Sequence, residues 1–252
     1  MGKNIKISII TVCYNSANTI EDTFKSIEAQ TYENIEYIVV DGVSKDNTLE
    51  IAEKYKNIIT HLISEKDSGL YDAMNKGIQA CTGDVIGILN SDDLYQDSQV
   101  IAAVMEEFKN DKVLDIVYGD LVYVKSNDTN TIVRNWKSKE YYKRFFENAN
   151  VPPHPALFVR SKVYKEAGLF DLQFKLAADY ELMLRMFKKH NFKSKYINRL
   201  IIKMRLGGAT NQSYTNIVNQ NKEILKAWKV NGLQAPFYLM PLRIIKRLSQ
   251  FI

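Results

Sequence analysis

The chain of 252 residues is 46% hydrophobic and 25% charged, which excludes a disordered or collagen-like polypeptide and fits one large α/β domain, alone or with a smaller appendage. No apolar run reaches membrane-spanning length, the first strand starts without a signal-peptide pattern, and Cys13 and Cys81 lack metal-ligand spacing, so reduced thiols and a cytoplasmic location are expected. The net charge of +5 hides a segregation: residues 182–252 hold 14 Lys and Arg and one acid, Glu223, whereas the first 181 residues are net acidic.

In chain order, Lys6 to Cys13 is an apolar, β-branched strand. Asn18-Thr19-Ile20-Glu21 reads as a capping box with Asn18 as the cap, opening a helix marked by Ile20, Phe24 and Ile27. A strand from Ile35 ends at Asp41; a helix over Thr48–Tyr55, a strand over Ile58–Ile63 and a helix over Tyr71–Ala80 follow. Val85–Leu89 has the continuous apolar character of a strand buried on both faces. A helix near Gln99–Lys109 leads to a strand over Ile116–Val124, a turn at Ser126–Asn130 and a returning antiparallel strand over Thr131–Trp136. Pro152-Pro153-His154-Pro155 opens a loop into a strand over Ala156–Val159, after which Ser161 caps a short helix stopped by Gly168. This alternation predicts a parallel, doubly wound sheet.

Ligands of such sheets bind beyond the carboxyl ends of the strands. Asn15, Asp41, Asp67 and Asp92-Asp93 all fall there, so they converge on one cleft. Adjacent carboxylates such as Asp92 and Asp93 repel unless a cation neutralises them, and a divalent metal carrying a diphosphate meets that need. Taken alone, Asn90-Ser91-Asp92-Asp93 is also an ordinary turn sequence. Asp179 heads a helical stripe with Leu182, Met183 and Met186, a placement that suits a buried general base or a simple first-turn acid. Glu181 and Arg185 form a structural i,i+4 pair. Lys76 either meets a phosphate or is solvated; His154 either binds a ligand or packs its loop; Gly207-Gly208 after Arg205 either admits a ligand or turns the chain. No G-x-G-x-x-G, Walker A or G-x-S-x-G motif is present, which disfavours dinucleotide-dependent dehydrogenases, P-loop enzymes and α/β-hydrolases.

Thr11-Val12-Cys13-Tyr14-Asn15, Val39-Val40-Asp41-Gly42, Asp67 to Gly77, Leu89 to Asp93 and Ala178-Asp179-Tyr180 together resemble family 2 glycosyltransferases, most closely the bacterial enzymes of O-antigen and capsular polysaccharide biosynthesis. The resemblance covers roughly residues 6 to 210 in the family's order. It implies a GT-A fold: a doubly wound, mostly parallel α/β sheet with a Rossmann-like nucleotide-binding half, a smaller acceptor-side antiparallel sheet and C-terminal helices. The implied domains are 1–210, divided into a donor half 1–125 and an acceptor half 126–210, and a basic helical extension 211–252.

It also implies an inverting transfer from a nucleotide-diphosphate sugar, expected to be UDP-linked, to a hydroxyl of a lipid-diphosphate-linked glycan. Thr11, Asn15 and Asp41 would line the nucleoside pocket, and Asp67 and Lys76 would support the donor. Asp92 would contact ribose or metal, Asp93 would hold Mg2+ or Mn2+, and Asp179 would deprotonate the acceptor. His154 and Arg205 are weaker candidates. Ala178 departs from the family's common Glu-Asp pair, which puts an acceptor contact in doubt.

The terminal stretch from Pro241 is apolar at Leu242, Ile245, Leu248 and Ile252 with basic residues interleaved. It is expected either to lie on an anionic membrane, holding the protein peripherally on the inner face, or to pack on the domain. Two rival readings are a sugar nucleotidyltransferase, which would want a Gly-rich phosphate loop after the first strand, and a non-catalytic nucleotide-sugar-binding subunit, against which the retention of Asp93 and Asp179 argues.

Overall fold

The computed structural model describes residues 5–207 and 214–248. Gly208 and the last four residues, Ile252 among them, lie outside the described residues. The first half alternates as expected: β1 (Ile7–Cys13), α1 (Ile20–Glu28), β2 (Ile35–Asp41), α2 (Thr48–Lys54), β3 (His61–Ser64), α3 (Leu70–Ala80) and β4 (Val85–Ile88). Then come β5 (Leu94–Tyr95), α4 (Val100–Asn110), β6 (Ile116–Lys125), β7 (Asp128–Trp136), a 3-10 turn (His154–Ala156), β8 (Leu157–Arg160) and α5 (Ser161–Ala167). The last elements are α6 (Ala178–Leu184), which runs into a π turn, β9 (Ser194–Arg205), α7 (Tyr214–Val230) and α8 (Leu239–Leu248).

The strands form one sheet in the order β3-β2-β1-β4-β8-β6-β9-β5, with β7 also paired to β6. Strands β1 to β4 pair in parallel, β8 runs antiparallel to both β4 and β6, and β6 pairs in parallel with β9. The antiparallel strands, expected as a smaller sheet, are therefore continuous with the parallel part. All seven side chains of β1 are buried, as a strand covered on both faces requires. On one face α1, α2 and α4 pack Ile20, Phe24, Ala52, Val104 and Phe108 against Ile9 and Val39. On the other, α3 and the later helices pack Met74, Met183, Phe187 and Trp228 against Ile10, Ile38 and Tyr118. Each buried Ile, Val, Phe or Met among them contributes about 1.5–3 kcal/mol.

Several local expectations change. Thr19, not Asn18, holds the N-cap position of α1, and it makes no side-chain cap. Its loop is tied outward instead: the Ser16 N–H donates to Thr48 Oγ1 and the Ala17 N–H to Asp46. Strand β3 starts at His61, because the Ile58 and Ile59 N–H groups turn back to the Tyr55 carbonyl. Ser161 is the first residue of α5 and caps nothing, its N–H being taken by the Asp84 carbonyl. Gly168 does end α5, at φ 87°, a conformation that favours glycine. The long strand β9 carries no clear alternation and follows from its pairing with β6.

Helix α8 is inverted relative to a freely amphipathic tail. Leu239 is fully buried and Met240 packs on the core. Arg243 turns inward over the Tyr180 ring at 5.4 Å, and Lys246 donates to Asn150 Oδ1 at 2.5 Å. Ile244 and Ile245 face out, 57% and 62% exposed, and Phe237 before the helix is 95% exposed. No helix among the described residues is long and apolar enough to cross a membrane.

Candidate active site

Register brings the strand ends level. Cys13 of β1 lies beside Asp41 of β2, and Asp41 lies beside Ser64 of β3. The loops after β1 and β4 meet where the Ser16 and Ser91 hydroxyls are 2.8 Å apart. Gly42 permits the next approach, since a Cβ there would sit 2.5 Å from an Asp67 carboxylate oxygen. The neighbouring Val43 has φ 64°, a left-handed conformation that strains a β-branched residue. Asn15, also left-handed, accepts the Lys45 N–H through its side chain and remains exposed on the rim.

Two candidates sit deeper than the sequence implied. Thr11, expected to line the nucleoside pocket, is fully buried inside the sheet, where its hydroxyl accepts the Tyr37 phenol at 2.9 Å. Asp41 is also closed to solvent. Its carboxylate accepts the Ser44 N–H and hydroxyl, the Ser64 hydroxyl at 2.7 Å and the Cys13 thiol. Here it holds the loop after β2 in place. Both cysteines are free; burial comes first in pushing the Cys13 thiol up, and burial pushes Cys81 up to about 12, so neither is a ready nucleophile.

Asp67 opens the turn into α3 and accepts the Gly69 N–H at 2.9 Å. Lys76 bonds to Glu65 at 2.8 Å and to the Lys66 carbonyl at 2.7 Å. In this state it braces the turn before α3, and a donor phosphate would have to draw it from Glu65.

Asp93 is fully buried, and Asn90 donates to its Oδ2 at 3.1 Å. Its Oδ1 is buried without a hydrogen-bond partner. Burial, then the charge of Asp92, hold the Asp93 carboxyl well above the usual range, and burial also raises Asp92. Arg205 opposes both shifts, yet it bonds to the main chain: it donates to the Asp92 carbonyl at 2.9 Å and the Ser126 carbonyl at 3.2 Å and pairs with Asp22. It is a tether for the loop. A lone buried oxygen beside a half-buried carboxylate fits a hard divalent cation, which would draw its other ligands from a diphosphate and water. Among the described residues no set of three or more acids, histidines or cysteines gathers as a complete metal site, so such an ion would need the donor substrate.

Asp179 is half-buried in the first turn of α6, while the next five residues of that helix are buried. The Tyr71 hydroxyl donates to Asp179 Oδ1 at 3.2 Å. His154 packs edge-on against Phe170, and its imidazole is pushed down by burial while the charge of Asp179 pulls it up. Ala178 is fully buried and offers no second acid. Nor does Glu181 supply one, being paired with Arg185 at 2.8 Å and bonded to Asn231 at 2.9 Å. Tyr71 and Glu223 carry roles that sequence reasoning missed. The signal for Tyr71 was its i,i+4 spacing to Asn75 on one helix face; Glu223 stood out as the only acid of a basic segment.

A sheet that gathers acidic loops at the carboxyl ends of its strands, with an acid of a later helix tied to the helix after Asp67, fits a glycosyltransferase of GT-A type. The chain belongs to glycosyl transferase family 2, whose sequence profile matches residues 8–166. It is similar to an uncharacterised glycosyltransferase of Mycobacterium tuberculosis, 31% identical over 71% of this chain and 68% of that protein. A PGL/p-HBAD biosynthesis glycosyltransferase of Mycobacterium bovis is 29% identical over 81% of this chain and 78% of its own length. In fold, the chain is similar to S. aureus TarS 1–349 in complex with UDP-GlcNAc, with a TM-score of 0.71 at 16% identity over 97% of this chain and 73% of that one. The mannosyltransferase PcManGT of Pyrobaculum calidifontis, in complex with GDP-Man and Mn2+, gives 0.66 at 15% identity over 97% and 70%.

Proposed function

We propose that this protein is an inverting, metal-assisted glycosyltransferase moving a sugar from a nucleotide-diphosphate donor, with UDP first among the nucleotides, to a hydroxyl of a lipid-linked glycan in surface-polysaccharide biosynthesis. The observation that carries the reading is the gathering of the Asp41, Asp67 and Asp92-Asp93 loops beyond the strand ends, with Asp179 tied through the Tyr71 hydroxyl to the helix that follows Asp67. Asp92, the more open carboxylate, and Asp93 behind it would hold Mg2+ or Mn2+, which supplies Lewis-acid stabilisation to the departing diphosphate. The Asp41-anchored loop, Asn15 and Asp67 form the wall for the nucleoside side of the donor. Asp179 takes the acceptor hydroxyl proton as that oxygen bonds to the anomeric carbon. The bond from that carbon to the diphosphate oxygen breaks, and the nucleoside diphosphate leaves with the electron pair.

A thermal-shift screen with UDP, GDP, UDP-N-acetylglucosamine and GDP-mannose, each with and without Mn2+, tests the donor side. A metal-dependent rise in Tm with one nucleotide series is expected, and no rise with any would refute nucleotide-sugar binding. Asp179→Asn should abolish transfer while keeping the donor-induced shift; undiminished turnover would remove Asp179 from its role.

Membrane attachment is part of the same proposal and is supported by the basic C-terminal segment together with outward-facing Phe237, Ile244 and Ile245. Truncation would also strip Leu239 from the core, so the cleaner variant replaces those three residues with Gln. Loss of co-sedimentation with phosphatidylglycerol vesicles is expected, and unchanged binding would refute this surface.

A further inference from the structure

Tyr71 lies on α3, directly after the Asp67 turn, yet its hydroxyl reaches across to Asp179 on α6 at 3.2 Å. We propose that Tyr71 is a positioning residue that fixes the Asp179 carboxylate for proton abstraction, an inference that rests on reading Asp179 as the base. Tyr71 engages Asp179 through its hydroxyl, whose proton goes to Oδ1. The second carboxylate oxygen is left for the acceptor hydroxyl. The 3.2 Å separation is longer than the usual ~2.8 Å for hydroxyl donors, as is common in catalytic sites without substrate.

The phenol is itself held rigidly. Its ring stacks on Phe170 at 5.3 Å, and His154 in turn meets the Phe170 ring edge-on at 5.5 Å. One helical turn along, buried Asn75 clamps the Phe170 main chain from both sides, donating to its carbonyl and accepting its N–H at 2.9 Å each. Tyr71 and Asn75 thus lock α3 to the segment that leads into α6. Burial and the negative charge of Asp179 hold the Tyr71 phenol above its ordinary range, so it acts as a donor and not as a second base. No proton leaves Tyr71; the acceptor's proton passes to Asp179.

Tyr71→Phe keeps the ring and its stacking on Phe170 while removing the hydroxyl. The expected result is a kcat lowered about 10- to 100-fold, the scale of a misplaced catalytic group, read as nucleotide release from UDP-N-acetylglucosamine, UDP-glucose and GDP-mannose. The KM for the donor and its thermal shift should not move, and the Tm should fall by no more than about 4 °C. A purely structural role would lower Tm and leave kcat alone, which would overturn the proposal. If Asp179→Asn is inactive and Tyr71→Phe is fully active, positioning fails while the base assignment stands; if Asp179→Asn is active, the base assignment fails. A double-mutant cycle on Tm provides a test that needs no substrate. Combining Tyr71→Phe with Asp179→Ala should cost no more than the worse single change, and strictly additive losses would show that the two residues do not interact.

Discussion

Glu223 is the single acid among the last 71 residues, and the structure shows what it does there. From α7 its carboxylate accepts three main-chain N–H groups ahead of α6: Lys175 at 3.0 Å on one oxygen, Leu176 at 2.8 Å and Ala177 at 2.9 Å on the other. These donors lead into the helix that carries Asp179, where a negative charge also complements the helix dipole. Replacing Glu223 with Ala removes the acceptor for all three. Loss of a cap costs about 1–2 kcal/mol and loss of the favourable charge a few tenths more, so about 2 kcal/mol is expected for this half-buried group. At roughly 2–4 °C per kcal/mol for a chain of this size, Tm should fall by about 4–8 °C. Glu223→Gln keeps one carbonyl oxygen for Leu176 and Ala177 but loses the acceptor at Lys175 and the charge, so its loss should be about half as large. Circular-dichroism melts of the three proteins give the comparison. Melting of Glu223→Ala within about 1 °C of wild type would refute the capping argument.

Three further outcomes follow from other sites. Asp93→Asn removes a buried charge with a free oxygen, so the metal-free protein should melt higher while the extra stabilisation by Mn2+ with UDP disappears; persistence of that metal effect would exclude Asp93 as a ligand. Glu36 is 2% exposed; burial pushes its carboxyl up, but hydrogen bonds from Lys6, Ser8 and Thr82 outweigh this and hold it at about 2 against an ordinary 4.5. Its contribution, on the order of 3 kcal/mol, is present above pH 4.5 and fades as pH falls towards 2, so Glu36→Gln should be far less stable at pH 7 and nearly equal to wild type at the acid end. An equal Tm gap in urea at pH 3 and pH 7 would contradict it. Val43→Gly should relieve left-handed strain of about 1–3 kcal/mol against a glycine entropy cost of about 0.5–1 kcal/mol, raising Tm by a few degrees; a lower Tm would show that the valine is not strained.

Much of the parallel half was legible because burial on both faces leaves a strong mark. Ile7–Cys13 is buried along its whole length and rich in β-branched residues, Val85–Ile88 is equally buried, and Asn15 and Asp92-Asp93 follow their ends within a few positions. The pairing of Glu181 with Arg185 was legible for the same local reason, a spacing of four on a helix. Local rules failed where another segment supplied the partner. Asn18 was displaced as a cap because the loop after β2 captures the chain ahead of α1, and Ser161 because Asp84 takes its N–H. Strand β9 was missed because its side chains are mostly half-buried and follow no alternation.

The sequence by itself determined the α/β alternation, the family, four motifs at strand ends and a fifth that opens α6, since periodicity and turn chemistry act over a few residues. Tertiary structure alone decided how those motifs divide their work. It buried Thr11 and Asp41 as supports, turned Lys76 to Glu65 and Arg205 to a main-chain carbonyl, and left one oxygen of Asp93 without a partner. It also brought Tyr71, 108 positions earlier in the chain, and Glu223, far later, to the start of the helix bearing Asp179. The physical reason is that a buried polar group must find a partner wherever the fold places one, and sequence distance does not limit that search.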